Sequence, residues 1–282
     1  MRTLSLPSGT TIPVLGQGTW GLGEDRVKRK AEMAALRLGL DLGMTLIDTA
    51  EMYGDGDAEE LIGEAIAGRR TDVFLVSKVY PHNATRFHAI AACERSLKRL
   101  KTDYLDLYLL HWRGSAPLAE ALAAFQSLKR AGKIRSFGVS NFDQGDMEEA
   151  ISLEGGDEIA TDQVLYNLKR RGIEWDLLPW CRERDIPIMA YSPIEHSPSE
   201  QVGMLQNARL KSVASRHGAT TIQVALAWLL RQEGIVAIPK ASTEEHVREN
   251  HTALDLTLTS EDEAELDRAF PPPRRKIALE MK

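Results

Sequence analysis

Four residues have the types needed for general-acid chemistry on a carbonyl group. Asp48 follows "TLI", Tyr53 lies five positions on in "DTAEMYGDG", Lys78 follows "FLVS" and His111 follows "LYLL". A tyrosine, with a reference pKa of about 10, is a poor acid at neutral pH. A nearby ammonium lowers that pKa, and an aspartate can hold the ammonium in place. A histidine can orient a carbonyl oxygen toward the phenol, and the set then delivers a proton to a developing alkoxide. Singly, each has a plainer use: an aspartate after a strand caps a helix, a lysine is solvated, and a histidine is satisfied in a core. Asp48 and His111 would also suit a metal-dependent hydrolase, a reading that leaves Tyr53 and Lys78 without a role.

The general-acid reading needs a fold that ends several strands at one mouth. Apolar runs predict strands at 14–19, 44–48, 73–79, 104–111, 134–140, 159–167, 186–192 and 235–239. Helical periodicity fills the gaps at 27–42, 58–67, 89–100, 117–132, 144–152 and 175–184, with two further helical stretches before the last strand. Pro117 suits a first helical turn and Gly132 a stop. Regular alternation implies parallel strands covered by helices. Eight such units over about 250 residues fit a closed (β/α)8 TIM barrel, where the C-terminal strand ends share one site. Residues 4–13 read as an N-terminal β-hairpin turning at Ser8-Gly9. No Pro/Gly/Ser-rich linker divides residues 1–282, which read as a single domain.

The stretch "VLGQGTWGLG" contains Gly16-x-Gly18-x-x-Gly21, the spacing of a dinucleotide fingerprint. A true fingerprint closes a strand and opens a helix, whereas here Pro13 interrupts the strand and no helix opens at Gly21. These glycines instead close the first barrel strand and turn over its mouth. A net charge of −6 argues against nucleic acid or an anionic membrane as the main partner. No apolar run approaches the ~20 residues of a membrane span and no signal-peptide core is present, so the cytosol is the expected compartment. Cys93 and Cys181 are too few and too distant for a zinc knuckle or disulfide framework, and read as buried hydrophobes. No metal site is expected.

The segments "LGQGTW", "LIDTAEMYG", "VFLVSKV", "LDLYLLHW", "SFGVSNF", "AYSPI" and "AIPKASTEEHVREN" stand in an order and spacing that resembles the aldo-keto reductase family over nearly the whole chain. The likeness is to its bacterial, NADPH-dependent carbonyl, methylglyoxal or diketogluconate reductase-like members. The resemblance implies a (β/α)8 barrel that binds NADPH in extended form and reduces small aldehydes and ketones to alcohols. It casts Asp48, Tyr53, Lys78 and His111 as a catalytic tetrad with Tyr53 as proton donor. It places Ser140, Asn141 and Gln163 on the nicotinamide carboxamide and stacks Tyr191 on the ring. Gly18, Thr19, Trp20 and Ser192 join the implied cofactor contacts. A cofactor-binding, redox-sensing regulatory module on the same fold is the alternative, and rapid turnover separates the two.

After the eighth strand, Ser242-x-x-Glu245 reads as a capping box that starts a helix at Thr243, and Lys240 adds charge to its N-terminal anion site. The resemblance sets Lys240 and Ser242 near the adenosine 2′-phosphate, and Glu249 and Asn250 near adenine. His246 stands where many members carry an arginine, which weakens the expected preference for NADPH over NADH. Trp20, Tyr80 and Trp112, with Tyr53 and His111, form the implied substrate pocket, and Arg113 faces either the pocket or solvent. The short tail "FPPPRRKIALEMK" suggests an open pocket. A monomer acting on a small carbonyl compound is expected.

Overall fold

Inward-facing positions of successive strands carry apolar residues and then, one pleat nearer the C-terminal end, a polar one: Leu46 then Asp48, Val76 then Lys78, Leu109 then His111, Ile238 then Lys240. Side chains two positions apart point to the same face of a strand, so this pattern puts an apolar floor beneath a polar ring. The computed structural model describes residues 1–282 and realises that arrangement.

Strands β1 (Thr3–Ser5) and β2 (Thr11–Pro13) form an antiparallel hairpin. The barrel strands are β3 (Gln17–Gly18), β4 (Leu46–Asp48), β5 (Phe74–Val79), β6 (Leu105–Leu110), β7 (Ile134–Ser140), β8 (Ile159–Leu165), β9 (Ile188–Tyr191) and β10 (Ile235–Ala237). They pair in parallel and in chain order. Bridges Leu15–Ala237 and Gly18–Lys240 close the ends of this sheet on each other. A Cβ at Gly18 would stand 2.6 Å from the Ile238 carbonyl oxygen, so the seam needs a glycine there. That is the use of the glycine motif: barrel closure rather than a strand-to-helix phosphate turn.

Leu46, Val76, Leu107, Leu109, Met189, Val236 and Ile238 pack inside the barrel, and Leu6 and Ile12 of the hairpin join them. A larger apolar layer lies between the strands and the helices. These helices are α1 (Arg29–Asp41), α2 (Asp57–Ala65), α3 (Arg86–Leu100), α4 (Leu118–Arg130), α5 (Gln144–Ser152), α6 (Leu177–Arg182), α7 (Pro198–Leu205), α8 (Ala208–His217), α9 (Thr221–Leu230), α10 (Glu244–Thr252) and α11 (Ser260–Ala269). None is long and apolar enough to cross a membrane. Cys93 and Cys181 are free and buried.

Several boundaries differ from the sequence reading. Three helices, not two, separate β9 from β10, because Asn207 ends the first stretch and caps α8 with its own side chain. Pro117 is the N-cap of α4 rather than part of its first turn. Val27 lies outside α1, in a turn held by the Asp25 carboxylate, and is exposed. Helix α6 is only six residues long, since a short 3-10 turn at Gly172–Glu174 precedes it and Asp176 caps it.

Candidate active site

Asp48 ends β4 and Lys78 lies one residue before the end of β5, so neighbouring strands present them side by side. Lys78 is fully buried and donates to Asp48 Oδ2 at 2.7 Å, the Thr49 carbonyl at 2.8 Å and Tyr53 Oη at 3.1 Å. An ammonium has three protons, and all three are committed. Tyr53 Oη therefore accepts from Lys78, which leaves its own proton free to be donated into the cavity. The 48–53 segment is fixed from both sides: Tyr53 N donates to the Ala50 carbonyl, and Glu51 N to the Lys78 carbonyl. Gln163 on β8 donates to Asp48 Oδ1 at 2.7 Å, so both carboxylate oxygens are engaged.

The electrostatics differ from expectation at Tyr53. Burial pushes its phenol above the ordinary tyrosine value, and the opposing pull of Lys78 does not reverse this. For Lys78 burial works against the ammonium, yet Asp48 and Tyr53 outweigh it and hold the group above its usual value. Burial, and then the Lys78 charge, drive His111 down to about 2. His111 is accordingly a neutral imidazole, and its buried Nδ1 has no partner within the chain.

These groups border a cavity of about 350 Å³ at the C-terminal mouth of the barrel. Asn141 and Ser192, at the ends of β7 and β9, turn the chain there with positive φ of 58° and 46°, conformations that cost a non-glycine residue strain. Tyr191 donates to Asn141 Oδ1 at 2.8 Å, while Asn141 Nδ2 donates to the His111 carbonyl at 3.1 Å. Ser140 Oγ donates to the Gln163 carbonyl at 2.8 Å. Trp20, half exposed, meets the Tyr53 ring edge-on with centroids 5.0 Å apart.

Of the residues singled out in the sequence, Gly18, Thr19, Trp20, Asp48, Tyr53, His111, Trp112, Ser140, Asn141, Gln163, Tyr191, Ser192 and Lys240 line this cavity. Lys78 acts from behind it. Tyr80 does not line it; its ring backs Trp112 at 4.9 Å. Arg113 points away, pairing with Asp146 and Glu149 on α5. Ser242, His246, Glu249 and Asn250 also lie outside the lining, and Asn250 is buried. The N-cap of α10 is Thr243, whose Oγ1 accepts from His246 N, so the cap sits one residue beyond the one expected. Sequence reading missed Met52, the 193–196 loop, Gln201 and Lys282. Lys282 matters most: the tail folds back, and its backbone N–H donates to Tyr191 Oη at 3.2 Å, so the pocket is not left open by a short tail.

The lining suits an extended nicotinamide dinucleotide. It offers an aromatic platform in Tyr191, hydroxyl and amide groups on Ser140, Asn141 and Gln163, and the Lys240 ammonium near Gly21. The model of the Aldo/keto reductase family matches residues 14–270. Methylglyoxal reductase YeaE of Escherichia coli (strain K12) is 52% identical over 280 residues, covering 99% of each chain. Methylglyoxal reductase DkgB of Salmonella typhi is 33% identical over 260 residues, 89% of this chain and 91% of that one. A crystal structure of an aldo/keto reductase from Klebsiella pneumoniae in complex with NADP and acetate aligns with a TM-score of 0.97 at 49% identity, covering 100% of this chain and 99% of that one.

Proposed function

The chain belongs to the aldo/keto reductase family, and from that premise we propose that Tyr53 is the proton donor of an NADPH-dependent reduction of small aldehydes and ketones. The observation that carries this reading is the saturated ammonium of Lys78. With its three protons committed, the Tyr53 proton has only the cavity to serve. The bound dinucleotide supplies the hydride. Tyr53 delivers the proton to the carbonyl oxygen as it becomes an alkoxide. As that proton leaves, negative charge grows on Tyr53 Oη beside Lys78, in a site from which water is largely excluded. Neutral His111 orients the carbonyl oxygen without competing as an acid. Asp48 acts through Lys78, and its two carboxylate oxygens are engaged by Lys78 and Gln163, so it is not free to be the ligand that the metal-hydrolase alternative assigns to it.

Ser140, Asn141 and Gln163 would hold the carboxamide, Tyr191 the ring, and Lys240 the phosphate end. Short carbonyl compounds, including 1,2-dicarbonyls such as methylglyoxal, suit a cavity walled by Trp20 and Trp112 and narrowed by the tail. We read residues 1–282 as one domain that works as a cytosolic monomer. The test is an NADPH-oxidation screen over small aldehydes, dicarbonyls and aldoses. Rapid turnover of short dicarbonyls supports the reading, and NADPH binding without turnover of any carbonyl would favour the regulatory module.

A further inference from the structure

The turn after β8, "LKRRGIE", contains three consecutive residues that the reaction does not use, and each holds a different point of the chain's last segment. Arg170 Nη1 donates to Glu280 Oε1 at 2.6 Å. Arg171 Nη1 donates to the Phe270 carbonyl and to Asp267, both at 2.7 Å. Gly172 lies so close to Ile277 that a Cβ there would be 2.8 Å from Ile277 Cδ1. Arg170 also reaches two residues after β9, donating to Glu195 and Glu200 at 3.1 Å each. The turn is anchored from below by buried Asn167, which accepts from the Arg170 backbone N–H and donates to the Ser192 carbonyl. Lys282 closes the circuit by pairing with Glu200.

We infer that the Arg170–Gly172 turn is a docking cradle that seats the C-terminal tail and the 193–201 segment as a single wall of the active site, with Arg170 as the positioning residue. A planar guanidinium with five N–H donors can face three carboxylates at once, whereas a lysine at this position is a point charge. Glu195 is fully buried, so losing Arg170 strands a carboxylate that must either move or drag its loop toward water. Releasing Glu280 loosens the tail between its remaining tethers, Lys276–Asp176 and Lys282–Glu200, and weakens the Lys282 contact that steadies Tyr191. The two covers therefore open together rather than independently. The kinetic consequence rests on the reading of this cavity as the nicotinamide and carbonyl site; the mechanical coupling does not.

The test uses the full chain and the variants R170A, R170K, E280Q and G172V. Hydrogen exchange of segments 193–201 and 277–282 is read without cofactor, and NADP+ dissociation is read by stopped-flow fluorescence. R170A and E280Q should each speed exchange in both segments and accelerate NADP+ release by about tenfold, the lower end for lost charge-assisted hydrogen bonds. KM for the carbonyl should rise more than kcat falls, and R170K should recover only part of the effect. E280Q added to R170A should add nothing. Faster exchange in one segment alone, multiplicative effects in the double variant, or lowered Tm with unchanged NADP+ release would overturn the inference. Should R170A fail to fold, E280Q and G172V alter only tail contacts and carry the same test. A parent that turns over no carbonyl defeats the functional reading, while coupled exchange still decides this one.

Discussion

In a Lys78→Met variant the Tyr53 phenol keeps its place and loses the ammonium that stands 3.1 Å from its oxygen. A unit charge at 3.1 Å favours the phenolate by roughly 5 kcal/mol at an effective dielectric of about 20. Asp48, bonded to the same ammonium, opposes a phenolate and cancels part of this. We therefore expect kcat to fall by about 10²–10³-fold, inside the range for losing general-acid assistance. Tyr53→Phe removes the proton itself and should cost about 10²–10⁴-fold, with NADPH binding little changed. Lys78 is fully buried and does not line the cavity, and of the groups it touches only Tyr53 carries a proton to give, so the loss of rate should pass chiefly through Tyr53. Lys78→Met introduced into Tyr53→Phe should then cost almost nothing more in steady-state NADPH oxidation. Multiplicative losses would refute the reasoning, since Lys78 would be acting on the reaction by another route. Breaking a buried pair costs ~3–5 kcal/mol, a large share of a typical ~5–15 kcal/mol stability, so urea unfolding must accompany the kinetics. Asp48→Asn with Lys78→Met removes both charges and controls for the stranded carboxylate.

His111, held down to about 2 in the fold, gains its proton near pH ~6.5 once unfolded. Below that pH the unfolded chain binds the extra proton, so stability is present above about pH 6.5 and falls with pH, at up to roughly 1.4 kcal/mol per unit. His111→Gln should flatten urea-derived stability between about pH 5 and 6.5, and an unchanged slope would rule out the neutral buried imidazole. His246→Arg, in the exposed first turn of α10, should tighten NADPH more than NADH, by roughly 1.5–3 kcal/mol for a well-made phosphate contact. Lys240→Ala should shift that ratio the other way, and fluorescence titration of both cofactors checks the pair. Arg113→Ala should leave KM for every carbonyl unchanged, because the guanidinium is spent on α5; a raised KM for acidic substrates would place it in the pocket.

The period of two along parallel strands made the polar ring legible. Asp48, Lys78, His111 and Lys240 each follow inward apolar residues by two positions, and a closed barrel has one place to gather such residues. The choice between Ser242 and Thr243 as cap was not legible, because both side chains can accept a backbone N–H and only the backbone at 243 decides. Tyr80 and Trp112 are alike as aromatic residues near strand ends, and their order in depth follows from loop paths that no periodicity encodes. The tail was misread for a related reason. Its anchor, the Arg170–Glu280 pair, joins residues 110 positions apart, and neither end carries a local signal that names the other.

The phenol shows where sequence chemistry identified the right partners and the wrong balance. Placing a lysine beside a tyrosine suggests a lowered pKa, but the same burial that brings them together penalises the phenolate more than Lys78 favours it. A raised value keeps the proton on Tyr53 across neutral pH, the state a donor needs before reaction. The ammonium then acts chiefly as the proton departs, when negative charge grows on an oxygen that already accepts a hydrogen bond from Lys78. Stabilisation confined to that moment speeds the chemical step, whereas a phenol already ionised in the resting enzyme would have nothing to give. The corresponding expectation is that kcat shows no loss of a Tyr53 ionisation through neutral pH in the parent, and that Lys78→Met lowers the plateau rather than moving it into that range.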